Sequence, residues 1–315
     1  MTINTRDVNA PASAAEPAAS RPESKKRRSE VSVLTVLGHI ALAVWAILVL
    51  GPMVWTLLAS FKSNTEIFGS AWALPAHLRL GNYARAWTKA HLGTYFFNSV
   101  VVVALSTFGT MLFGAMAAYV LARYKFVGNR IIYYVFLAGL AFPVFLALSP
   151  LFFVVRNMGE VPVIGQFITT NTRGGLVLVY IAYSLPFTVF FLSAFFRTLP
   201  TSVAEAAMID GASHSRLFFR VMLPMAKPGL VSIGIFNILG QWSQYNIPVV
   251  LMSGSSDKSK WVLTQGIADI STQAGYQSDW PALFAALVLA ILPMIVVYGI
   301  FQRQIQSGLT AGAVK

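Results

Sequence analysis

Cysteine is absent from all 315 residues, which excludes disulfides and a lipid-modified N-terminal cysteine. Charge is scarce: Asp, Glu, Lys and Arg make up 11% of the chain, against 56% hydrophobic residues and a mean hydropathy of +0.66. That balance lies far outside what a soluble domain needs to bury a core. No GxxxxGK[ST] phosphate loop occurs, so the chain is not expected to bind ATP. No sequence period of about 20 to 50 residues recurs, which excludes solenoids and arrays. His39, His77, His91 and His214 share no HxxxH spacing and pair with no acid at metal-ligand spacing, so no metal site is expected.

What is present is a set of long runs without charge. A hydrocarbon core about 30 Å thick takes roughly 20 helical residues to cross, and a central Asp, Lys or Arg costs about 3 kcal/mol. Six uncharged runs are long enough: 31–61, 92–122, 131–155, 174–196, 228–256 and 280–302. Their apolar residues are continuous and do not alternate as in a porin strand, so an all-α integral membrane protein with six transmembrane helices is expected. No proton-relay charge lies inside any of the runs.

Loops rich in Lys and Arg stay in the cytoplasm. With the N-terminus inside, 15 of the 23 Lys and Arg fall on the inner side, including "KKRR" at 25–28 directly before the first run. Such a cluster reads as a topology signal and an anchor to anionic membrane lipid, and not as a nucleic-acid site. Both termini are then cytoplasmic. Residues 1–30, rich in Ala, Pro, Ser and charge, are expected to be a disordered tail. The first run is about twice as long as a signal-peptide core, so it reads as a retained helix, 31–61. An extracytoplasmic segment follows at 62–91, then a core at 92–303 and a cytoplasmic tail at 304–315.

One inner segment is unusually polar: "TSVAEAAMIDGASHSRLFFRVMLP", 201–224. Ser202 as N-cap and Glu205 three residues on form an SxxE capping box followed by strong helix formers. Gly211 supplies a left-handed stop, and a second short helix is expected to run to Pro224. Ala206 and Ala207 are small enough to let another surface approach the backbone. An amphipathic helix lying on lipid headgroups fits the same residues.

The spacing E-A-A, three residues, G, nine residues, I-x-L-P is present as Glu205, Ala206, Ala207, Gly211, Val221, Leu223 and Pro224, with valine in place of isoleucine. It resembles the EAA loop of binding-protein-dependent ABC importer permeases. "FKSNTEIF", "LPAHLRLGNYARAW", "YFFNSVVVALSTFGTMLFGAMAAYVLARYKF" and the ending "GLTAGAVK" are similar, more narrowly, to the smaller of the two permease subunits of maltose-type carbohydrate importers. The likeness covers 31–315. It implies a type I permease bundle in the plasma (inner) membrane of a prokaryote, with a coupling helix in the loop 200–228 that seats in a cytoplasmic ABC ATPase dimer. That partner would bind ATP and Mg, leaving this chain without cofactor or catalytic residue. A second homologous permease subunit, an extracytoplasmic solute-binding protein and a sugar substrate are the other implied partners.

The fifth run is the most polar. Asn237, Gln241, Gln244 and Tyr245 recur at i, i+4, i+7 and i+8, placing amides and a ring on one helix face, with Trp242 and Asn246 on a second line. Amides bind sugar hydroxyls and aromatic rings stack on sugar faces, so the stripe suits a carbohydrate path. Amides bonding to neighbouring helices fit it equally. Tyr180, Tyr183, Ser184 and Pro186 raise the same question in the fourth run. Pro143, Pro150, Pro186 and Pro248 are expected to kink or break helices. Gly109, Gly114, Gly234 and Gly240 are expected to allow close helix packing. The outer segment 253–281 reads as a large polar loop; the resemblance implies that it faces the solute-binding protein, and a bare solvated loop fits the same residues nearly as well. An importer for an amino sugar or glycerol phosphate and, less well, a lipid-linked sugar transferase are the alternatives; cationic pore residues would mark the phosphate importer, and none lies in the runs.

Overall fold

The computed structural model describes residues 33–252, 254, 257–277 and 279–311; the tail expected at 1–30 lies outside them. Among the described residues the regular structure is helical, with no strand. The chain forms two compact units, 1–51 and 52–315. In the first unit helix α1 (Val33–Ala59) presents exposed apolar side chains as far as Gly51. An all-apolar exterior of this kind suits hydrocarbon.

The second unit carries the rest of α1, then α2 (Asn64–Gly69), α3 (Gly81–Thr88), α4 (Leu92–Arg123), α5 (Asn129–Ala141), α6 (Val144–Met158) and α7 (Arg173–Thr198). After these come α8 (Thr201–Ile209), α9 (His214–Leu217), a π turn at Phe218–Met222, α10 (Leu223–Met225), α11 (Lys227–Trp242), α12 (Asn246–Met252), α13 (Leu263–Gln277) and α14 (Trp280–Ala311). Helices α1, α4, α7 and α14 are each long and apolar enough to cross a membrane, and there are up to six spans if α5 with α6, bent by 106°, and His214–Met225 with α11, bent by 78°, each count as one. The last helix runs to Ala311, so residues 304–311, expected as a tail, continue it.

Helices α4 and α7 form the central pair. Lipid tails are as apolar as leucine, so close packing has to hold membrane helices together. A Cβ at Gly109 would sit 2.5 Å from Ile181 Cδ1, and one at Gly114 would sit 2.5 Å from Thr188 Cγ2. A side chain at Gly114 would press on the branched Thr188, and one at Gly109 would force the end of Ile181 aside, so both glycines let α4 approach α7 closely. Gly234 and Gly240 do not act this way. A Cβ at Gly234 would meet only Met111 Sδ at 3.9 Å, and one at Gly240 would meet nothing within 4 Å.

Two of the six expected spans are not continuous helices. The run 131–155 bends by 106° between α5 and α6. Proline disfavours a helical conformation in the residue before it, and Phe142, with ψ 123, is extended ahead of Pro143. The run 228–256 stops at Trp242 and restarts at Asn246. Pro248 lacks an N–H donor and sits in the first turn of α12, where no intrahelical partner is lost. Pro150 and Pro186 lie inside α6 and α7 without ending them.

The outer segment expected as a loop at 253–281 contains helix α13, packed on α4 and α14. Leu263, Ile270 and Ala274 bury one face of it in a cluster with Leu92, Trp242 and Leu283. Sparse apolar residues at helical spacing were hidden there by the many polar residues around them. The Arg85 guanidinium donates to both Asp279 carboxylate oxygens at 3.0 Å, joining α3 to the start of α14 and holding Asp279 below the usual carboxylate range.

Candidate functional site

Pro200 is the N-cap of α8, with φ −60 and ψ 132, so the helix begins at Thr201 and Ser202 lies inside its first turn. The capping box expected from Ser202 and Glu205 is therefore not formed. Glu205 is exposed, and its carboxylate makes no hydrogen bond or ion pair among the described residues. Ala206 is exposed beside it, Ala207 is half-buried, and Met208 and Ile209 are exposed, Ile209 to 86%.

The expected glycine stop is present. Gly211 has φ +80; its N–H donates to the Met208 carbonyl at 3.0 Å and the Ala212 N–H to the Ala207 carbonyl at 3.0 Å. These two bonds make a Schellman closure, which needs a left-handed residue at this position. Ser213 then caps α9 by accepting from the Arg216 N–H. Pro224 does not end the second helix, as had been expected; the helical run continues to Met225. The π turn just before it widens the backbone, with the Leu223 N–H donating to the Phe218 carbonyl, and so makes room for the proline ring.

One side of the elbow is fixed to the spans. Leu217, Phe218 and Met222 are buried in a cluster with Ala115, Ala118 and Tyr119 of α4 and Leu192 and Phe196 of α7, and Val221 and Leu223 pack against it. The Tyr119 ring lies 5.0 Å from Phe218 and 5.5 Å from Phe196. Tyr124 Oη is 2.9 Å from His214 Nδ1. The elbow thus has a buried face seated on α4 and α7 and an exposed face of Glu205, Ala206, Met208, Ile209 and Gly211. Tyr119, Tyr124 and His214 were not anticipated. Aromatic residues are so common in this chain, with 23 Phe, 11 Tyr and 7 Trp, that no pattern singles these out.

The fifth-run stripe divides. Asn237 and Gln241 are buried and bonded to other helices. Asn237 Nδ2 donates to Thr188 Oγ1 at 2.9 Å. Gln241 Oε1 accepts from Ser106 Oγ at 2.6 Å and Thr107 Oγ1 at 3.1 Å, while its Nε2 donates to Ser184 Oγ at 2.9 Å. One amide therefore joins α4, α7 and α11. Trp242 donates to the Ala290 carbonyl of α14 at 3.1 Å. Gln244 and Tyr245 fall in the break after α11, so the helical stripe does not continue through them.

Asn237, Gln241 and Gln244 nevertheless border a cavity of about 310 Å³, whereas Tyr245 and Asn246 do not. Its other walls include Phe142, Tyr180, Tyr183, Ser184 and Phe236. Both interrupted helices reach it, α5 through its end at Phe142 and α11 through the break at Gln244. Amides and aromatic rings around one space match the chemistry of a sugar, with hydroxyls at its rim and apolar faces. Among the described residues no group of three His, Asp or Glu could hold a metal ion.

The profile of the family described as "Binding-protein-dependent transport system inner membrane component" matches residues 110–310. The diacetylchitobiose uptake system permease protein of Streptomyces coelicolor is 51% identical over 88% of this chain and 87% of its own length. A multiple sugar-binding transport system permease protein of Streptococcus mutans is 31% identical over 88% of this chain and 96% of its own. The crystal structure of a bacterial ABC transporter involved in import of the acidic polysaccharide alginate contains a chain that superposes with a TM-score of 0.71. That likeness covers 91% of this chain and 99% of the other at 20% identity, a likeness of fold.

Proposed function

Because this chain belongs to the family of binding-protein-dependent transport system inner membrane components, we propose that it forms one wall of a sugar pathway driven by a separate ATPase. It is a multi-pass membrane permease of an ABC carbohydrate importer and not an enzyme. The observation that carries the coupling role is the two-faced elbow: Phe218 and Met222 seated against α4 and α7, with Glu205, Ile209 and Gly211 turned outward. The outward face docks in the cytoplasmic ATPase dimer, which binds ATP and Mg, and both termini lie in the cytoplasm. Closure of the dimer moves the elbow, and the buried aromatic face passes that motion to α4 and α7 as a rigid body. A second, homologous permease supplies the other half of the pathway.

The cavity bordered by Tyr183, Gln241 and Gln244 faces the sugar. For the sugar itself, the 51% identity to the Streptomyces coelicolor permease supports an N-acetylated amino-sugar disaccharide such as diacetylchitobiose. The test is ATP-driven uptake by the four-component complex in proteoliposomes. Diacetylchitobiose is expected to accumulate and to compete out maltose. Uptake of maltose in preference would overturn the substrate, and uptake without the ATPase would overturn the mechanism.

A further inference from the structure

The end of α4 opposite the elbow borders a second cavity, of about 490 Å³, between the α3–α4 connection and α13. Its walls include Lys89, His91, Lys258, Asp269 and Gln273. His91 there adopts φ 56, a left-handed conformation that costs a non-glycine residue energy and persists only where its surroundings impose it.

The charges in this cavity do not balance. Asp269 is already satisfied, with Lys258 Nζ at 2.7 and 2.8 Å and Gln273 Nε2 at 2.8 Å. Lys258 also lies 5.1 Å from the Trp261 ring, which holds it in place. Lys89 has no ion pair among the described residues; the nearby carboxylate that feels its charge, Asp279, is already held through both oxygens by Arg85, so Arg85, Lys89 and Asp279 together keep one surplus positive charge beside the cavity. The surrounding segments 62–91, 156–173 and 257–279 hold eight Lys and Arg against five Asp and Glu. A neutral sugar gains little from an unpaired ammonium; an anion gains most.

We infer that this cavity receives an acidic side chain of the solute-binding protein, with Lys89 as its partner and the Lys258–Asp269–Gln273 set as a fixed wall. The inference rests on the proposed function, which places the elbow inside and this cavity outside. Helix α4 has 32 residues and so is about 48 Å long, well beyond the roughly 30 Å of hydrocarbon. Its first turn therefore stands clear of the acyl chains, where a soluble protein can reach it. A partner that must deliver and depart gains from a charge at the rim, because such charges speed encounter more than they prolong it.

The test measures equilibrium binding of the cognate solute-binding protein to the assembled transporter in nanodiscs of zwitterionic lipid. Lys89→Glu is expected to weaken binding roughly tenfold and Lys89→Gln roughly threefold, in the order set by charge. A matching Asp-to-Lys or Glu-to-Lys change on the binding protein should restore affinity to Lys89→Glu. ATPase co-purification with each variant reports intact assembly. Unchanged affinity in both variants, or an effect that appears only in anionic nanodiscs and so marks a lipid-headgroup site, would overturn the inference. Loss of sugar uptake by the wild-type complex with Lys89-dependent binding intact would count against the proposed function and leave this docking site standing.

Discussion

Two SxxE tetrads, Ser63–Glu66 and Ser202–Glu205, lie in different parts of this chain and fold differently. At the first, Ser63 is extended with ψ 169 and caps α2; its backbone N–H donates to Glu66 Oε2 at 2.6 Å, and its hydroxyl accepts from the Glu66 N–H at 3.3 Å. At the second, Pro200 takes the capping position two residues early, and the box does not close. Pro200, with φ −60 and ψ 132, already holds the extended conformation of a capping residue, so the helix starts at Thr201 and Ser202, inside the first turn, cannot cap it. The two glutamates therefore do different work. Glu66 spends its oxygens on its own backbone and on Arg79, 3.7 Å away. The Glu205 carboxylate is exposed and bonds to nothing among the described residues, which leaves it open for the proposed docking.

The largest test of this contrast is at the elbow. A Cβ at Gly211 would meet nothing within 4 Å, so Gly211→Asp has room in the isolated chain and strains only the left-handed turn, by about 1 kcal/mol. Membrane insertion should survive while ATP-driven uptake falls roughly tenfold or more, the scale of a lost anchor in a docked surface. Normal uptake in proteoliposomes would refute coupling through this turn.

A smaller effect separates structure from substrate contact inside the fifth run. Gln241→Leu removes three interhelical bonds, those with Ser106, Thr107 and Ser184, and should lower unfolding stability in detergent by about 1 to 2 kcal/mol, at roughly 0.6 kcal/mol per bond. Gln244→Ala, in the break, should leave the melting temperature alone and raise the sugar concentration needed for half-maximal uptake. Equal loss of stability in both would place Gln244 in the scaffold instead.

The smallest effect concerns Glu66. Hydrogen bonds from the Ser63 backbone and hydroxyl hold its carboxyl down to about 2, from an ordinary value of 4.5. A depressed folded value means that the carboxylate stabilises the fold above about pH 4.5 and that the benefit fades as pH falls towards 2. The melting-temperature gap between wild type and Glu66→Gln should therefore be small, present at pH 6 and shrinking below pH 4.5. A gap that widens on acidification would contradict the capping role. Transport should be unaffected, unlike at Gly211.

The turn of the proposed coupling elbow was readable in the residue order, because a glycine stop after a run of helix formers is a local event. Gly211 and the spacing of Glu205, Ala206 and Ala207 before it needed no distant partner to be recognised. The starting residue of α8 was not readable, since two local signals compete there and proline wins. The polar stripe was half readable. Periodicity put Asn237 and Gln241 on one face, but whether an amide meets a sugar or a serine depends on what α4 and α7 bring to it. Helix α13 escaped notice because a polar, surface-lying helix needs only a few buried residues, and Leu263, Ile270 and Ala274 are spaced too widely to stand out.

Hydropathy and local turn chemistry settled that this chain lives in a membrane, where its four long helices α1, α4, α7 and α14 run and where the elbow turns, since each depends on transfer energies or dihedral limits of nearby residues. The 106° bend between α5 and α6, the choice of Gly109 and Gly114 over Gly234 and Gly240 as packing sites, and the cavity at the two helix breaks were settled by assembly of the bundle. Those features depend on side chains from distant parts of the chain competing for the same space, and such competition leaves no local trace.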